Sequence, residues 1–446
     1  MSRTPICDFV KAYQQQKPLR LHMPGHKGQV FTGPEAADIT EIGGADVLYS
    51  ARGIICESEQ NAGELFETGR TLYSAEGSSL CIRAMLYLIA QEARRQGRRP
   101  LIAAARNAHK VFMTAAALLD IDICWLFPKT PGSVTTCELD LEEVSRVLEE
   151  RRPTALYVTS PDYLGNCADL HALSQLCRKN GTLLAVDNAH GAYLKFLPVS
   201  RHPIDLGADL CCDSAHKTLP VLTGGAYLHL SGKAPAQLLE QAENALSLFA
   251  STSPSYLILQ SLDQANAYLA DGYADKLADA SLMLARARAE LTANGYQLTG
   301  DEPLKWNIMP KCRGWRGDEL AAWLAQKNVW VEFADPDNVV MMFTPEASAE
   351  DVQQLVKWLC SVPAREAINE QPPVLAEPVQ AMRPQEALFA PQETIPVRDA
   401  VGRVLAAPSV TCPPAVPVVV CGEQIDESAV RCFAYYGIES CCVVKK

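Results

Sequence analysis

Residues 183–191 read LLAVDNAHG and residues 208–218 read ADLCCDSAHKT, so two short apolar runs each lead into polar, ionisable residues. Short apolar runs of this kind are typical of strands buried on both faces of a parallel sheet. Thirty residues separate Asp187 from Lys217, which is the length of one strand–helix–strand unit. Because ligands bind outside the carboxyl ends of strands in open α/β sheets, both polar groups are predicted to line one site.

The α/β pattern continues on both sides of this stretch. Apolar runs at 101–105 and 155–159 predict two more strands, and helices are predicted at 78–96, 141–150 and 170–179. The helix at 78–96 is apolar on most faces, so we expect it to be buried. Alternating strands and helices indicate a doubly wound sheet with right-handed crossovers.

The chain beyond Gly232 changes character. Residues 275–293 alternate apolar and charged residues at helical spacing, and short strands and helices near 318–327 and 349–359 indicate a small α+β domain. Prolines cluster at 366–385, which indicates a linker. We therefore predict five segments: an N-terminal arm (1–50), a large α/β domain (51–250), a small α+β domain (251–365), the linker (366–385) and a C-terminal domain (386–446).

Composition narrows the functional class. The chain has 446 residues, of which 48% are hydrophobic, and its net charge is 40 − 52 = −12. This balance is ordinary for a globular protein and argues against a nucleic-acid partner, which needs a basic surface. The 16 cysteines form no C-x-x-C pair and no Cys/His group with zinc spacing, so we expect reduced thiols and no bound metal. Without an apolar leader or a run of about 20 apolar residues, a cytoplasmic protein without membrane contact is expected.

Four polar groups carry the candidate chemistry. They are Gly77-Ser78-Ser79 at the start of the long helix, His109 after the strand at 101–105, Asp187 with His190, and Ser214 with His216 and Lys217. Each group has an ordinary alternative: Gly-Ser-Ser can be a helix cap, a histidine can be a hydrogen-bonded loop residue, and a lysine can be a solvated surface group. Only their combination indicates one chemistry.

That chemistry is the binding of pyridoxal 5′-phosphate. The cofactor requires an amine for a Schiff base, a carboxylate beside its pyridine nitrogen, a seat for its phosphate and a flat group against its ring. A helix N-terminus with serine hydroxyls is a suitable phosphate seat. The candidates, in the same order, are Lys217, Asp187, the Gly77-Ser78-Ser79 group and His109, with Ser214 and His216 as further phosphate contacts.

Two longer motifs resemble a known family. The run LHMPGHKG at 21–28, together with D-x-x-H and S-x-H-K-T between 187 and 218, resembles the bacterial ornithine/lysine/arginine decarboxylases, and the likeness covers nearly the whole chain. Members of that family are fold-type-I pyridoxal-phosphate enzymes, and this chain resembles their shorter form without an N-terminal wing domain. The resemblance implies a large domain with a mixed, mostly parallel sheet, a smaller α+β domain and a C-terminal α+β domain.

The resemblance also implies roles for the candidate residues. Lys217 forms the internal aldimine, Asp187 pairs with the pyridine nitrogen, and His109 stacks on the ring. Either His216 or Lys217 protonates the α-carbon. His190 is expected either near the cofactor or in a structural hydrogen bond of the Asp187 loop. The implied phosphate contacts are Ser78, Ser79, Ser214 and His216.

The implied reaction is decarboxylation of lysine, ornithine or arginine to the corresponding amine through an external aldimine and a quinonoid, as in polyamine biosynthesis. A basic substrate needs a carboxylate for its distal cation. The candidates for substrate binding are Glu332 and Asp335 in the small domain, Glu423 in the tail and His26 in the arm. Two alternatives stay open: an aminotransferase or other lyase with the same cofactor, and a cofactor-binding homologue without catalytic activity.

Some positions depart from the family pattern. Asn188 stands where glutamate is common, Val111 replaces a serine, Gly224-Gly225 replaces a Gln-Ser or Gln-Thr pair, and Cys421 replaces a proline. None of these departures removes a predicted cofactor contact. They leave the identity of the substrate open.

The resemblance implies an oligomer as well. Active sites of fold-type-I enzymes lie at a dimer interface, so we expect a homodimer or a larger even oligomer. The arm around His26 is expected to reach the active site or the neighbouring subunit. Thr252 and Ser253 are expected to contact the phosphate from the second subunit.

Overall fold

The computed structural model describes residues 3–129, 134–407 and 414–446. Its α-helices are α1 (Pro5–Gln15), α2 (Ile54–Phe66), α3 (Gly77–Arg95), α4 (Lys110–Leu118), α5 (Leu141–Arg151), α6 (Leu170–Asn180), α7 (Ala215–Thr218), α8 (Ala236–Ser247), α9 (Tyr256–Ala270), α10 (Tyr273–Ala293), α11 (Gly317–Ala325), α12 (Ala349–Ser361), α13 (Pro384–Phe389) and α14 (Glu427–Tyr435). Its strands are β1 (Arg70–Ser74), β2 (Leu101–Ala105), β3 (Asp122–Leu126), β4 (Ala155–Thr159), β5 (Leu183–Asp187), β6 (Leu210–Asp213), β7 (Ala226–Leu230), β8 (Gln297–Thr299), β9 (Lys305–Met309), β10 (Phe333–Ala334), β11 (Val339–Met342), β12 (Gln392–Pro396), β13 (Leu405–Ala407) and β14 (Ser440–Val444). Short 3₁₀ turns lie at Pro34–Ala36, Ala192–Phe196, Pro310–Arg313 and Val397–Asp399.

The chain forms two compact units, each built from separate chain segments. The first unit is the chain up to Gly97 together with Leu170–Asp275. The second is Arg98–Asp169 together with the chain from Lys276 onward. Neither unit coincides with a single one of the five segments predicted from the sequence. That division into five segments stays a prediction.

The first unit contains a mixed sheet with the strand order β1-β7-β6-β5. Strands β5 and β6 are parallel, whereas β7 runs antiparallel to both β6 and β1. Helix α3 is buried along most of its length, as its apolar sequence predicted. The carboxyl ends of β5 and β6 lie side by side, with Asp187 at the end of one strand and Asp213 at the end of the other.

The described part of the second unit contains three sheets. Strands β4-β2-β3 are all parallel, and they continue the α/β pattern. Strands β10-β11-β9-β8 and β12-β14-β13 form two antiparallel sheets. The last sheet packs with α14 around an apolar cluster that includes Leu405, Val419 and Phe433. The unit therefore combines an α/β part with two α+β parts.

Most of the predicted elements are confirmed. The runs at 101–105 and 155–159 are strands β2 and β4, and the two runs of the opening stretch are β5 and β6. The predicted helices correspond to α3, α5, α6, α10, α11 and α12, with small shifts at their ends. Apolar periodicity predicted these elements well because their side chains form the core.

The cysteines of the described residues are free thiols, and several are buried. Burial raises the pKa of Cys211 and of Cys212 well above the usual thiol range, so both side chains are uncharged packing groups in strand β6. No described helix is both long and apolar enough to cross a bilayer.

Glu59 is a buried carboxyl group in helix α2. Its Oε1 accepts a hydrogen bond from the Tyr73 amide at 2.9 Å. Burial raises the pKa of Glu59 from 4.5 to about 8. The folded chain therefore keeps Glu59 protonated at neutral pH, whereas the unfolded chain ionises it.

We expect Glu59→Gln to remove a pH dependence of stability. Between the unfolded pKa of 4.5 and the folded pKa of about 8, the unfolded chain binds fewer protons, so the unfolding free energy of the wild type falls as pH rises. The slope for one such group is about 1.4 kcal/mol per pH unit. Urea unfolding across this window should show a stability advantage of the variant that grows with pH. An advantage that stays constant would mean that Glu59 is already ionised in the folded chain.

Candidate active site

Lys217 lies in a short turn that follows strand β6, and we call residues 214–218 the lysine turn. The strand ends at Asp213, Ser214 precedes the four-residue helix α7, and the backbone is extended again at Leu219. Lys217 Nζ lies 2.9 Å from Nε2 of His190, which follows the end of β5. Two neighbouring strand ends therefore bring this amine and this imidazole together, which favours a place for His190 near the cofactor.

Asp187 is the last residue of β5, and its carboxylate is buried. Its Oδ1 accepts a hydrogen bond from the Ala189 amide at 3.2 Å and lies 3.7 Å from the Cys212 Sγ. Asp187 and Cys212 are partners in the parallel register, so their side chains lie on the same face of the sheet. A buried carboxylate at this strand end suits the predicted pairing with a protonated pyridine nitrogen.

The start of helix α3 offers a seat for an anion. Gly77 opens this 19-residue helix, and Ser78 and Ser79 lie in its first turn. The Ser214 hydroxyl donates a hydrogen bond to Ser78 Oγ at 2.7 Å, which joins the lysine turn to the helix start. Gly77 has a φ of 71°, and apart from its chain neighbours and its own helix backbone no described atom lies within 4 Å of the place where its side chain would project. Helix-start amides, the helix dipole and serine hydroxyls are groups that bind phosphate.

A loop of two glycines also joins these elements. The Gly77 amide donates to the Gly224 carbonyl at 2.7 Å, and the Gly225 carbonyl accepts from the His216 amide at 3.1 Å. Gly224 has a φ of 103°, and a Cβ at this position would lie 3.0 Å from the Ala75 carbonyl oxygen. This contact was not predicted from the sequence. The sequence feature that points to it is the pair of adjacent glycines at 224 and 225, because glycine is favoured where two backbone segments approach closely.

His216 has a defined tautomer. Its Nδ1 lies 2.9 Å from the Gly225 carbonyl and donates to it, so Nε2 of the neutral ring carries the lone pair. Burial lowers the pKa of His216, the hydrogen bond to Gly225 opposes this effect, and the charge of Lys217 adds to it. His216 is therefore neutral at neutral pH and accepts hydrogen bonds at Nε2.

His109 lies in the second unit, directly before helix α4. Its Nδ1 accepts a hydrogen bond from the Val111 amide at 3.2 Å, so the ring caps the helix. Because residue 111 contributes only its backbone amide to this contact, the replacement of serine by Val111 does not disturb it. The stacking of His109 on a cofactor ring stays a prediction.

Two of the predicted substrate carboxylates line one cavity of the second unit. The cavity has a volume of about 630 Å³, and both Glu332 and Asp335 lie in its wall. The exposed Glu332 accepts a hydrogen bond on Oε1 from the Tyr163 hydroxyl at 2.7 Å. Asp335 is buried and caps a turn by accepting from the Asn338 amide at 2.7 Å, and burial raises its pKa to about 6. Glu332 is therefore the better placed of the two to meet a cation.

Glu423 takes part in an internal ion pair of the second unit. Its Oε2 accepts hydrogen bonds from Arg106 Nη2 at 3.0 Å and from the Val420 amide at 2.8 Å. Both side chains of the ion pair are buried. Because the Glu423 carboxylate is already paired with Arg106, it is not available to pair with a substrate cation. The structure therefore does not favour substrate binding by Glu423.

His26 lies in the arm of the first unit. Its Nδ1 accepts from the Gly28 amide at 3.0 Å, and its Nε2 lies 3.2 Å from Asp38 Oδ2. Because Nδ1 is an acceptor, Nε2 carries the proton and donates to Asp38. These bonds tie the arm together, and a contact of His26 with substrate stays a prediction.

The first unit presents the parts of a fold-type-I pyridoxal-phosphate site: a lysine and a carboxylate after neighbouring parallel strands, and a helix start with paired serines. Solved structures share this fold. Lysine decarboxylase LdcF of Francisella novicida matches with a TM-score of 0.80 and 16% identity, over 99% of this chain and 79% of that chain. The constitutive lysine decarboxylase of E. coli matches with a TM-score of 0.78 and 17% identity, over 99% and 82% of the respective chains.

Sequence comparisons identify the family. The Orn/Lys/Arg decarboxylase major domain matches residues 4–299, and the C-terminal domain of the same family matches residues 364–440. The arginine decarboxylase of Bacillus subtilis is 30% identical over 95% of this chain and 91% of its own length. The arginine decarboxylase of Halalkalibacterium halodurans is 30% identical over 96% of this chain and 92% of its own length. The chain belongs to the Orn/Lys/Arg decarboxylase family.

Membership confirms the class predicted from the sequence. The chain is an amino-acid decarboxylase of fold type I, and its cofactor is pyridoxal 5′-phosphate. The residues of the first unit fit this cofactor, because the open space at Gly77 adjoins the hydroxyl pair of Ser78 and Ser214. The alternatives of an aminotransferase and of a non-catalytic homologue are not supported.

We expect Gly224→Ala to weaken cofactor binding about tenfold, because the new methyl group would meet the Ala75 carbonyl and push the loop away from Gly77. The matched control is Gly272→Ala, which also places alanine at a positive φ but has open space around it. Both variants should lose roughly 1 kcal/mol of stability from the backbone conformation. Titration of the cofactor-free proteins with pyridoxal phosphate compares the dissociation constants, and equal affinities would contradict the role given to Gly224.

Proposed function

We propose that the chain decarboxylates a basic amino acid, with arginine as the first candidate. The observation that carries the proposal is the lysine turn, where Lys217 Nζ lies 2.9 Å from His190 beside the Ser78–Ser214 pair. Arginine comes first because the two relatives that match over nearly the whole chain at 30% identity are arginine decarboxylases. The lysine decarboxylases of known structure share 16% and 17% identity with it and support only the fold.

Each candidate residue has a stated part in binding the cofactor. Pyridoxal phosphate, when bound, supplies the electron sink that stabilises the carbanion left by loss of carbon dioxide. Lys217 would hold the cofactor through Nζ, and Asp187 would keep its pyridine nitrogen protonated. Ser78 and Ser214 would bind the phosphate at the start of α3, and His109 would pack against the ring.

The two ionisable groups of the lysine turn differ in what they do with a proton. His216 is neutral and carries a lone pair on Nε2, so it accepts a hydrogen bond from a ligand. Lys217 Nζ carries protons and is held by His190. We therefore assign delivery of the proton at the α-carbon to Lys217 and orientation of this amine to His190.

Glu332 is the proposed partner of the distal cation of the substrate. The Tyr163 hydroxyl orients the carboxylate through Oε1, which leaves Oε2 to bind a guanidinium or ammonium group. The adjoining cavity of about 630 Å³ is large enough for an extended amino-acid side chain. Asp335 adds negative charge to the same wall while its oxygens serve the turn.

We also propose a homodimer in the cytoplasm. The arm exposes large apolar side chains, with Leu19 and Leu21 each 84% exposed and Phe31 76% exposed. Burying each of them would contribute about 1.5–3 kcal/mol, and a second copy of the chain is the proposed partner. Thr252 and Ser253 are exposed, as phosphate contacts from a second subunit require. Light scattering on the holoenzyme measures the oligomer.

The free thiols favour a reducing compartment, which supports the cytoplasm as the proposed location.

We expect Lys217→Ala to lose both the visible absorbance of the lysine-bound cofactor and the release of carbon dioxide, because no other amine is placed at this strand end to replace Nζ among the described contacts. The control is Lys233→Ala, which removes an exposed lysine of the same unit and should keep both signals.

Incubation of the wild type with arginine, lysine and ornithine in separate reactions, followed by chromatography of the amines, identifies the substrate. Formation of a keto acid without release of carbon dioxide would contradict the proposed function. An active Lys217→Ala variant beside an inactive Lys233→Ala control would contradict it as well.

We expect Glu332→Gln to raise the KM for the basic amino acid at least about tenfold with a small change in kcat, since a charged hydrogen bond is worth roughly 1.5–3 kcal/mol. The variant keeps an oxygen for the Tyr163 hydroxyl and loses only the charge. Asp335→Asn is the comparison, and we expect a smaller rise in KM because the oxygens of Asp335 serve a turn. Steady-state kinetics measure this change, and equal KM values for the wild type and Glu332→Gln would mean that Glu332 does not bind the substrate.

A further inference from the structure

A fully buried polar cluster lies behind the lysine turn. It consists of Asp213, Asn188, His202 and His229, and we call it the back-face cluster. Asn188 Nδ2 donates to Asp213 Oδ1 at 2.7 Å, and His202 Nε2 lies 3.1 Å from Asp213 Oδ2. His229 Nε2 lies 3.3 Å from the same oxygen without the geometry of a hydrogen bond, and its Nδ1 is hydrogen-bonded to Thr71 Oγ1 at 2.8 Å. One carboxylate therefore organises side chains from three other parts of the first unit.

The sheet register places the cluster on the face opposite Asp187. Asp187 pairs with Cys212 in the parallel register, so these two side chains share one face. Cys211 pairs with His229, and Asp213 lies two residues beyond Cys211 on the same strand, so their side chains share the other face. The cluster therefore lies on the sheet face opposite the Asp187 side chain.

The cluster is joined directly to the residues of the site. Asp213 immediately precedes Ser214, whose hydroxyl binds Ser78, and it lies four residues before Lys217. Asn188 immediately follows Asp187, and its backbone amide also donates to the Cys212 carbonyl at 3.0 Å. The bond between the Asn188 and Asp213 side chains thus ties the strand end that carries the carboxylate to the strand end that carries the lysine.

The Asp213 carboxylate is stabilised inside the protein. Burial alone would raise the pKa of Asp213, but His202 and His229 outweigh it and hold this pKa well below the usual range. Burial lowers the pKa of His229, against the attraction of Asp213. The buried carboxylate therefore stays ionised, and its hydrogen bonds are of the stronger, charge-assisted kind.

A metal ion is the other chemistry that such a group could serve, since His202, Cys211 and Asp213 bring three ligand atoms close together. A metal-bound histidine normally donates the proton of its second ring nitrogen to an acceptor. His202 Nδ1 is buried and has no hydrogen-bond partner among the described residues. The geometry therefore favours hydrogen bonds over a metal.

We propose that Asn188 and Asp213 are positioning residues that fix the spacing between the Asp187 carboxylate and Lys217, with His202 hydrogen-bonded to Asp213 and His229 packed beside it. This inference rests on the proposed function, since it assigns these residues to the same cofactor site. It also gives Asn188 a role: the amide donates to a carboxylate that is already ionised, which an acidic side chain at position 188 would repel.

The test uses the holoenzyme and the isosteric variant Asn188→Asp, which replaces the donor by a second carboxylate against Asp213. We expect kcat to fall about 10- to 100-fold, as for a small misplacement of reacting groups, with KM changed less than about threefold. The pH midpoint of the visible absorbance of the lysine-bound cofactor should shift as well, because it reports the surroundings of Lys217. A purely structural role would lower stability and leave this midpoint unchanged.

The reversed pair Asn188→Asp with Asp213→Asn provides the rescue. Its amide at position 213 can donate to the new carboxylate at 188 while its oxygen accepts from His202, so the polarity of the bonds is restored. We expect the double variant to recover most of the lost kcat and the wild-type midpoint. Cys211→Ala is the matched control, since Cys211 lies on the same face of β6 with its Sγ 4.0 Å from His202, and it should change kcat less than about twofold.

Asn188→Ala carries the test if Asn188→Asp does not fold, because it removes the donor without adding charge. A wild-type kcat and midpoint in either variant would overturn the proposal, and so would a double variant as impaired as Asn188→Asp. Stoichiometric zinc in the purified wild type, lost in Cys211→Ala, would overturn it in favour of a metal site. If the wild type binds the cofactor but decarboxylates no basic amino acid, the proposed function fails, while the absorbance midpoint of the variants still decides the positioning role.

Discussion

The parallel pairing of β5 with β6 is the constraint on which the site depends. The register that sets Asp187 opposite Cys212 also fixes where the chain leaves β6 to form the turn of Lys217. Backbone hydrogen bonds hold this register along the strands, and the bond between the Asn188 and Asp213 side chains supports it where the strands end. A slip of one residue would turn Asp187 to the other face of the sheet, where Asn188 now meets Asp213.

Three hydrogen-bonded contacts then connect the lysine turn, the start of α3 and the glycine loop. Ser214 binds Ser78, the Gly77 amide binds Gly224, and His216 binds the Gly225 carbonyl. The first two contacts join segments that are far apart in the sequence, the third spans nine residues, and together they close a ring. Such mutual support suits a catalyst that works by orientation, because a single side chain cannot move without breaking a bond to a neighbour.

Apolar periodicity and strand-end position predicted the parts of the fold and site that follow from local pattern. The runs before Asp187 and Lys217 indicated strands, and the meeting of Lys217 with His190 follows from the adjacency of those strands. The pairing of Glu423 with Arg106 could not be predicted, because a contact between residues so distant in sequence leaves no periodic signal.

The turn capped by Asp335 and the bond between Asn188 and Asp213 escaped prediction for a related reason. Asp335 lies in a sequence that suits a pocket carboxylate and a turn equally well, and only the Asn338 amide distinguishes the two. The sequence shows that Asn188 departs from the family pattern, but only the fold shows that Asp213 is its hydrogen-bond partner.

The bond from the Gly77 amide to the Gly224 carbonyl has a consequence for how a phosphate ester is held. At the start of an isolated helix the first amides all face an incoming anion, but here one of them is already committed to the protein. Among the described residues, the donors proposed for the phosphate at this helix start are the following amides of α3 and the Ser78–Ser214 hydroxyl pair, all of which are uncharged. A phosphate held here as proposed would be bound at these groups by dipoles, so added salt, which screens charges, would weaken this part of its binding only slightly.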